Sequence, residues 1–314
     1  MARFVKGLCG DGILVSPGRA ARPYDFRSTS EERLARCPFC PGHEAQTPPE
    51  VFAVRDDGAS DSPGWQLRVI PNLYPAAPRE PSGGGVFGIH EVIVESPRHT
   101  ARLGDLSQQE LFLVLSAWRG RFRDARLDER MEYGLIFKNQ GPIAGASLEH
   151  PHSQFIALPF VPKRVRAQVR VFQRGRYRAQ VQRELESLDH LVVTSRRLAA
   201  ISPKASRFSY TLWVMPKLSE SRFEECDDGL LEEAATLLGR LLRALDGMLH
   251  RPDYHLLVHT APFGEDPYWW HIELFPRLNR VAGFEWATGV FLNQVAPEEA
   301  TRTWREALKA SASI

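Results

Sequence analysis

The chain has 314 residues, 43% hydrophobic and 25% charged, with four cysteines; this length suits two compact domains or one built from two related halves, and this usage excludes collagen-like, disordered and disulfide-scaffold classes. Forty Lys and Arg against thirty-eight Asp and Glu leave a formal charge of +2, so no net field draws the whole molecule to nucleic acid or an acidic membrane. The opening MARFVKGLCGDGILV has no continuous apolar core of signal-peptide length, and no stretch approaches the ~18 apolar residues of a membrane span, so a cytoplasmic protein without a cleaved leader is expected.

Residues 27–64 are rich in turn formers and charge and carry Cys37-Pro-Phe-Cys40. Alternation from Trp65 predicts a strand ending at Pro71, and the β-branched run Glu91-Val-Ile-Val-Glu95 predicts another after a Gly-rich turn at 82–85. Residues 105–125 show helical periodicity, and strand character returns at Tyr133-Gly-Leu-Ile-Phe-Lys138. A small-residue loop, 141–147, leads into His150-Pro-His152-Ser-Gln154-Phe-Ile-Ala-Leu158, a strand with its polar residues at one end. Between Lys163 and Arg183 lie eight lysines and arginines before any acidic residue; this reads as a solvated helix face, the alternative being phosphate or nucleic-acid contact. A second set follows: strands at 191–193 and 210–215, a long amphipathic helix at 228–249, and strands at 254–258 and 269–275. Strands separated by long helices predict an α+β protein, and the repeated rhythm divides it into halves at 1–185 and 186–314.

Two thiolates three positions apart can hold one tetrahedral ion from a tight turn, leaving two positions for distant imidazoles; His43, His90, His99, His150 and His152 lie in the same half. Zinc suits such mixed sulfur and nitrogen ligands, while a redox pair or incidental cysteines stay open as readings. On an extended segment His150, His152 and Gln154 project to one face. A neutral imidazole there can attack phosphorus to form a phosphoramidate, with Gln154 donating to a non-bridging oxygen and Gly145-Ala146-Ser147 serving as a phosphate cradle. The bare His-x-His pair is otherwise a surface pair or a metal site. In the second half His259, His271 and Glu273 form another metal-competent set, read as a second metal site (Zn2+ or Fe2+) or as hydrogen-bonded residues at an interface.

Several motifs together resemble one family. They are Leu14-Val-Ser-Pro-Gly-Arg19-Ala-Ala-Arg22-Pro, Cys37-Pro-Phe-Cys40, Val69-Ile-Pro-Asn72-Leu-Tyr-Pro, Ser96-Pro-Arg-His99 and Phe137-Lys-Asn139-Gln-Gly. Gly145 through Gln154, Leu212-Trp-Val-Met-Pro-Lys217, His259-Thr-Ala-Pro-Phe and Trp270-His-Ile-Glu273 continue the series in order. The chain resembles the galactose-1-phosphate uridylyltransferases of the histidine-triad superfamily. The resemblance implies two related histidine-triad-like halves, each an antiparallel-dominated sheet with packed helices, in a homodimer. It implies that His152 is the nucleophile beside Gln154, that Cys37, Cys40, His99 and His150 hold a structural zinc, and that Arg19, Arg22, Asn72, Asn139, Gly145, Ala146 and Ser147 line the nucleotide and phosphate pocket. The implied reaction is ping-pong, UDP-glucose giving its uridylyl group to His152 and then to galactose 1-phosphate. Three departures stand out: the flank Ser-Leu-Glu-His-Pro-His-Ser-Gln is also similar to ADP-glucose phosphorylases, Glu273 stands where a histidine is common, and 282–294 differs where hexose selectivity is expected. The alternatives are therefore ADP-glucose phosphorolysis or a related adenylyl transfer, a hydrolase releasing the nucleotide to water, and a non-catalytic zinc-bearing nucleotide-binding protein.

Overall fold

The computed structural model describes residues 3–6, 12–15, 37–80, 86–266 and 268–311. Arg19 and Arg22, expected in the nucleotide pocket, lie outside the described residues. Strands β1 (Arg3–Lys6) and β2 (Gly12–Val15) form an antiparallel hairpin apart from the main sheet.

The main sheet takes five strands from each half. The first half supplies β3 (Phe52–Arg55), β4 (Trp65–Pro71), β5 (Ile89–Val94), β6 (Tyr133–Gln140) and β7 (His152–Leu158). The second supplies β8 (Leu191–Thr194), β9 (Leu198–Ile201), β10 (Leu212–Pro216), β11 (Tyr254–His259) and β12 (His271–Pro276). Their order is β3-β4-β5-β7-β6-β11-β12-β10-β9-β8, with every neighbouring pair antiparallel. Reading from either edge gives one topology, in which the last strand of each half inserts between its third and fourth. Strands β6 and β11 pair from Ile136–Val258 to Gln140–Tyr254 and make one continuous sheet. The expected α+β class with two antiparallel halves is what the chain adopts.

Helix α1 (Gln108–Arg126) lies between β5 and β6, and α4 (Asp228–Leu249) holds the matching place between β10 and β11. Each starts on a side-chain cap. Ser107 Oγ accepts from the Glu110 N–H at 3.2 Å while Glu110 accepts from the Ser107 N–H at 2.7 Å, and Asp227 accepts from the Leu230 N–H at 2.7 Å. The two helices pack on one sheet face together with α6 (Pro297–Ser311), burying Trp118, Phe122, Leu238, Leu241 and Trp304 against Ile136, Phe155, Val258 and Ile272. Because strand side chains alternate, the odd members of β7 enter this core and the even ones, His152 and Gln154, face the other side.

The basic stretch forms two helices, α2 (Lys163–Gln173) and α3 (Arg176–Glu186), joined at Gly175, whose φ of +71° suits a residue without Cβ. Their apolar residues Val169, Phe172, Val181 and Leu185 pack on Ala199, Ile201, Met215 and Trp269. They thus cover the second half's other face, and most of their arginines stay outward as the solvated-face reading expects. Helix α5 (Gly283–Thr288) is short and buries none of its residues. The sequence analysis places neither strands β3 and β9 nor helices α5 and α6; the first three are short, whereas α6 does carry a signal, its buried Ala300, Trp304 and Leu308 recurring at helical spacing. Among the described residues no helix is long and apolar enough to cross a membrane.

Candidate active site and metal centre

Cys37, Cys40, His99 and His150 converge, with their ligand atoms all within 4.8 Å of one another and every side chain buried. Cys40 Sγ lies 3.3 Å from His99 Nδ1 and 3.6 Å from His150 Nδ1, and Cys37 Sγ lies 3.7 Å from His150 Nδ1. Bond lengths of about 2.05 and 2.3 Å to a tetrahedral zinc give a sulfur–nitrogen edge of about 3.6 Å. The set therefore fits a structural zinc. Of the other imidazoles in this half, His43 instead bonds the Cys37 carbonyl through Nδ1 at 2.7 Å, while His90 and His152 serve elsewhere.

The donor chemistry agrees with a cation. His150 Nε2 donates to the Ser96 carbonyl at 2.8 Å, which fixes the tautomer and leaves Nδ1 with its lone pair toward the sulfurs. Burial, reinforced by nearby His99, His152 and Lys138, lowers the His150 pKa to about 3, so the ring is neutral. Burial also pushes the Cys40 thiol up; a coordinated divalent ion reverses that cost by stabilising the thiolate. Four protein ligands would leave a bound zinc no open position, so the chemistry it would supply there is to pin Cys37–Cys40 to the segment that leads into β7.

His152 begins β7, and its Nδ1 lies 2.8 Å from the His150 carbonyl. A carbonyl can only accept, so Nδ1 carries the proton and Nε2 keeps the lone pair. Phe39, inside the Cys-x-x-Cys turn, packs edge-on against His152 with ring centroids 5.5 Å apart and against His150 at 6.1 Å. The metal turn thereby braces the His152 ring.

Two residues on, Gln154 is oriented by a chain of donors. The Ala76 N–H donates to His90 Nδ1 at 2.9 Å, so the neutral ring carries its proton on Nε2 and donates to Gln154 Oε1 at 3.0 Å. Asn72 Nδ2 donates to the same oxygen at 3.3 Å. With Oε1 so committed, the Gln154 NH2 is left as the available donor; among the described residues it has no acceptor. His90 entered the sequence reading only as a zinc candidate; its alternation with Val92 on β5, opposite Gln154, is the signal that places it.

Beneath the strand, on its core side, Lys138 Nζ donates to Glu95 Oε2 at 2.6 Å and to the His152 carbonyl at 3.1 Å. Burial pushes Glu95 up and Lys138 down, and each charge offsets the other. Ser153 bonds Glu95 and accepts from Trp118 Nε1 at 2.8 Å, tying helix α1 to the same network.

Asn139, one residue before the end of β6, accepts from His255 Nδ1 at 2.9 Å. Burial and then Arg277 hold His255 down to about 4, keeping it neutral. His255 was missed, although it alternates with His259 on one strand. Gly145, Ala146 and Ser147 lie in the loop between β6 and β7; the Gly145 N–H donates to Pro142 and the Ala146 N–H to Gly141. Gly141 turns at φ +82° with the Asp253 carboxylate where a Cβ would sit.

In the second half His259, His271 and Glu273 share the sheet face opposite the helices. His259 Nε2 is 2.9 Å from Glu273 Oε2, and Arg207 Nη2 is 3.2 and 3.3 Å from the two Glu273 oxygens. A second divalent ion does not fit this set, because the guanidinium already holds the carboxylate and would face the added cation.

Residues 83–162 match the family described as galactose-1-phosphate uridyl transferase, N-terminal domain. The chain is 34% identical to an ADP-glucose phosphorylase of Arabidopsis thaliana over 94% of its own length and 89% of that protein, and 27% identical to a galactose-1-phosphate uridylyltransferase of Thermotoga maritima over 95% and 96%. Among solved structures it is similar to an Arabidopsis ADP-glucose phosphorylase with bound ADP-glucose, with a TM-score of 0.80, 32% identity and 98% of both chains covered. A uridylyltransferase structure gives 0.82, 27% and 99% of both.

Two outcomes follow for the supports of this site. Cys40→Ser removes one thiolate, so elemental analysis of the purified variant finds zinc falling well below the one equivalent per chain carried by the parent. Lys138→Met leaves Glu95 buried and unpaired, lowering stability to urea by about 3–5 kcal/mol, and Glu95→Leu in the same chain recovers much of that loss.

Proposed function

The chain belongs to the galactose-1-phosphate uridylyltransferase family of nucleotidyltransferases, and from that premise we propose that it moves a uridylyl group from UDP-glucose to galactose 1-phosphate through His152. The observation that carries this reading is the His152 Nδ1 bond to the His150 carbonyl at 2.8 Å, which leaves Nε2 as the nitrogen for attack on the strand face that His152 shares with Gln154.

In the first half-reaction the Nε2 lone pair attacks the α-phosphorus. An N–P bond forms, the P–O bond to the sugar phosphate breaks, and hexose 1-phosphate leaves with the bond electrons. The His150 carbonyl keeps accepting from Nδ1–H and stabilises the positive charge the ring acquires. Gln154 donates to a non-bridging oxygen as negative charge gathers there. The second sugar phosphate attacks the same phosphorus and returns Nε2 to its starting state. Asn72, Asn139, Arg19, Arg22 and the 145–147 loop are the groups we assign to holding nucleotide and phosphate. The two halves 1–185 and 186–314 act in a homodimer, and a reducing cytoplasm suits the zinc thiolates.

A second reading, phosphorolysis of ADP-glucose, is favoured by the 34% identity to the Arabidopsis enzyme of that name. It uses the same histidine with adenylyl in place of uridylyl and phosphate in place of the sugar phosphate.

Intact-protein mass measurement after incubation with UDP-glucose, UDP-galactose or ADP-glucose separates these readings. The expected result is a uridylyl adduct that galactose 1-phosphate removes and that His152→Ala lacks while keeping its zinc and circular dichroism. An adenylyl adduct cleared by phosphate moves the assignment to phosphorolysis, and an adduct persisting in His152→Ala overturns the nucleophile. His90→Phe removes the donor that orients Gln154, so kcat for exchange drops by about a hundredfold with KM much less changed.

A further inference from the structure

The two halves share one topology, so each first-half position has a counterpart in the second. Gln154 pairs with Val92 on β5 and Phe137 on β6; Glu273 pairs with Trp213 on β10 and Leu257 on β11. Glu273 thus stands where Gln154 does, and His271, two residues earlier at the start of β12, stands where His152 does. The local device is also repeated: His271 Nδ1 bonds the carbonyl of Trp269, two residues back, at 3.1 Å, as His152 does with His150. His271 Nε2 is therefore left with its lone pair. Burial, then His259, lowers its pKa to about 3.

What surrounds this second histidine differs. No Cys-x-x-Cys turn stands by it; instead α2 closes over it and leaves a cavity of about 170 Å³. Arg164, Arg207, Trp213, His259, His271 and Glu273 line it, with Gln168, Ser206 and Thr211 supplying further polar groups. Burial works against the Glu273 charge, but the bond and charge of His259 and the charge of Arg207 outweigh it and hold that carboxyl below the ordinary range. Glu273 is thereby spent on Arg207 and His259. Arg164 remains, and among the described residues it has no hydrogen-bond or ion-pair partner. The balance of two guanidiniums against one carboxylate favours an anion. The volume is below the ~300–1,000 Å³ of pockets for drug-sized ligands, so a nucleotide is too large and a tetrahedral oxyanion fits.

We propose that this second-half cavity binds a small phosphate anion, either free phosphate or the phosphate end of a hexose phosphate, between Arg164 and Arg207. The ligand accepts charge-assisted hydrogen bonds from the two guanidiniums. Trp213, tilted over His271 with ring centroids 4.5 Å apart, walls the cavity and blocks in-line approach of a nucleotide. The site binds without forming a covalent bond. The argument from equivalence rests on the reading of His152, but the cavity, its charge and the place of Arg164 in its lining do not.

The test uses the zinc-loaded full chain. Crystals are soaked in low-millimolar orthophosphate, glucose 1-phosphate or tungstate, the last a tetrahedral oxyanion located by its anomalous scattering, and orthophosphate binding is measured in solution by equilibrium dialysis. The expected result is an oxyanion between Arg164 and Arg207 and one bound equivalent in solution that weakens about tenfold or more in Arg164→Glu, while nucleotidyl exchange by that variant stays close to the parent's. Occupancy by orthophosphate identifies free phosphate as ligand, and occupancy by glucose 1-phosphate alone identifies the sugar phosphate; either supports the proposal. An empty cavity, binding at crystal concentration only, affinity unchanged in Arg164→Glu, or a second metal ion at Glu273 overturns it. Failure of the transfer reading shows separately, as the absence of any nucleotidyl adduct on His152.

Discussion

A β-strand has two faces, and β7 needs both. His152 and Gln154 face the side on which we propose that substrate binds, while Ser153, Phe155 and Ala157 enter the helix-covered core on the other. A slip of one residue in its pairing with β5 or β6 would send the imidazole into the core and Phe155 into the site. Register is held by the buried apolar face, by Trp118 reaching Ser153, and at the strand's first residue by Lys138 bonding the His152 carbonyl. Stability and the orientation of the His152 ring thus rest on the same alternation.

The imidazoles of the site are set by acceptors that have no proton to give. The carbonyls of Ser96, His150 and Trp269 fix His150, His152 and His271 respectively, and the Asn139 side-chain oxygen takes the proton of His255. His90 is fixed the opposite way, by a backbone N–H. Burial then keeps His150, His255 and His271 neutral, since a charged ring there would lose its water. The result is a set of rings held in fixed orientations: His150 turns Nδ1 toward the two cysteine sulfurs, His90 holds Gln154 Oε1, and His271 lines the second-half cavity.

The two halves solve the same packing problem and then diverge in charge. In the first, thiolates and a metal position brace His152 through Phe39. In the second, Arg207, Glu273 and His259 bond one another under α2, and the counterpart of a neutral carboxamide is an ionised carboxylate. One sheet therefore carries the Cys37–Cys40–His99–His150 cluster beside His152 in one half and an arginine-lined cavity in the other, joined through β6 and β11.

Sequence alone determined the α+β class, most long elements and the chemistry-bearing segments, because periodicity, Cys-x-x-Cys spacing and His-x-His-x-Gln alternation are local properties. It placed Cys37, Cys40, His99 and His150 together only through resemblance; spacing by itself left five imidazoles as candidates for two places. Tertiary structure decided among them, sending His43 to the Cys37 carbonyl and His90 to Gln154. It also decided that β6 meets β11, that the basic helices lie on the second half, and that Arg207 closes on Glu273. Each of these joins residues far apart in the chain, and such pairings follow from which buried faces and opposite charges find each other on folding, which no local pattern encodes.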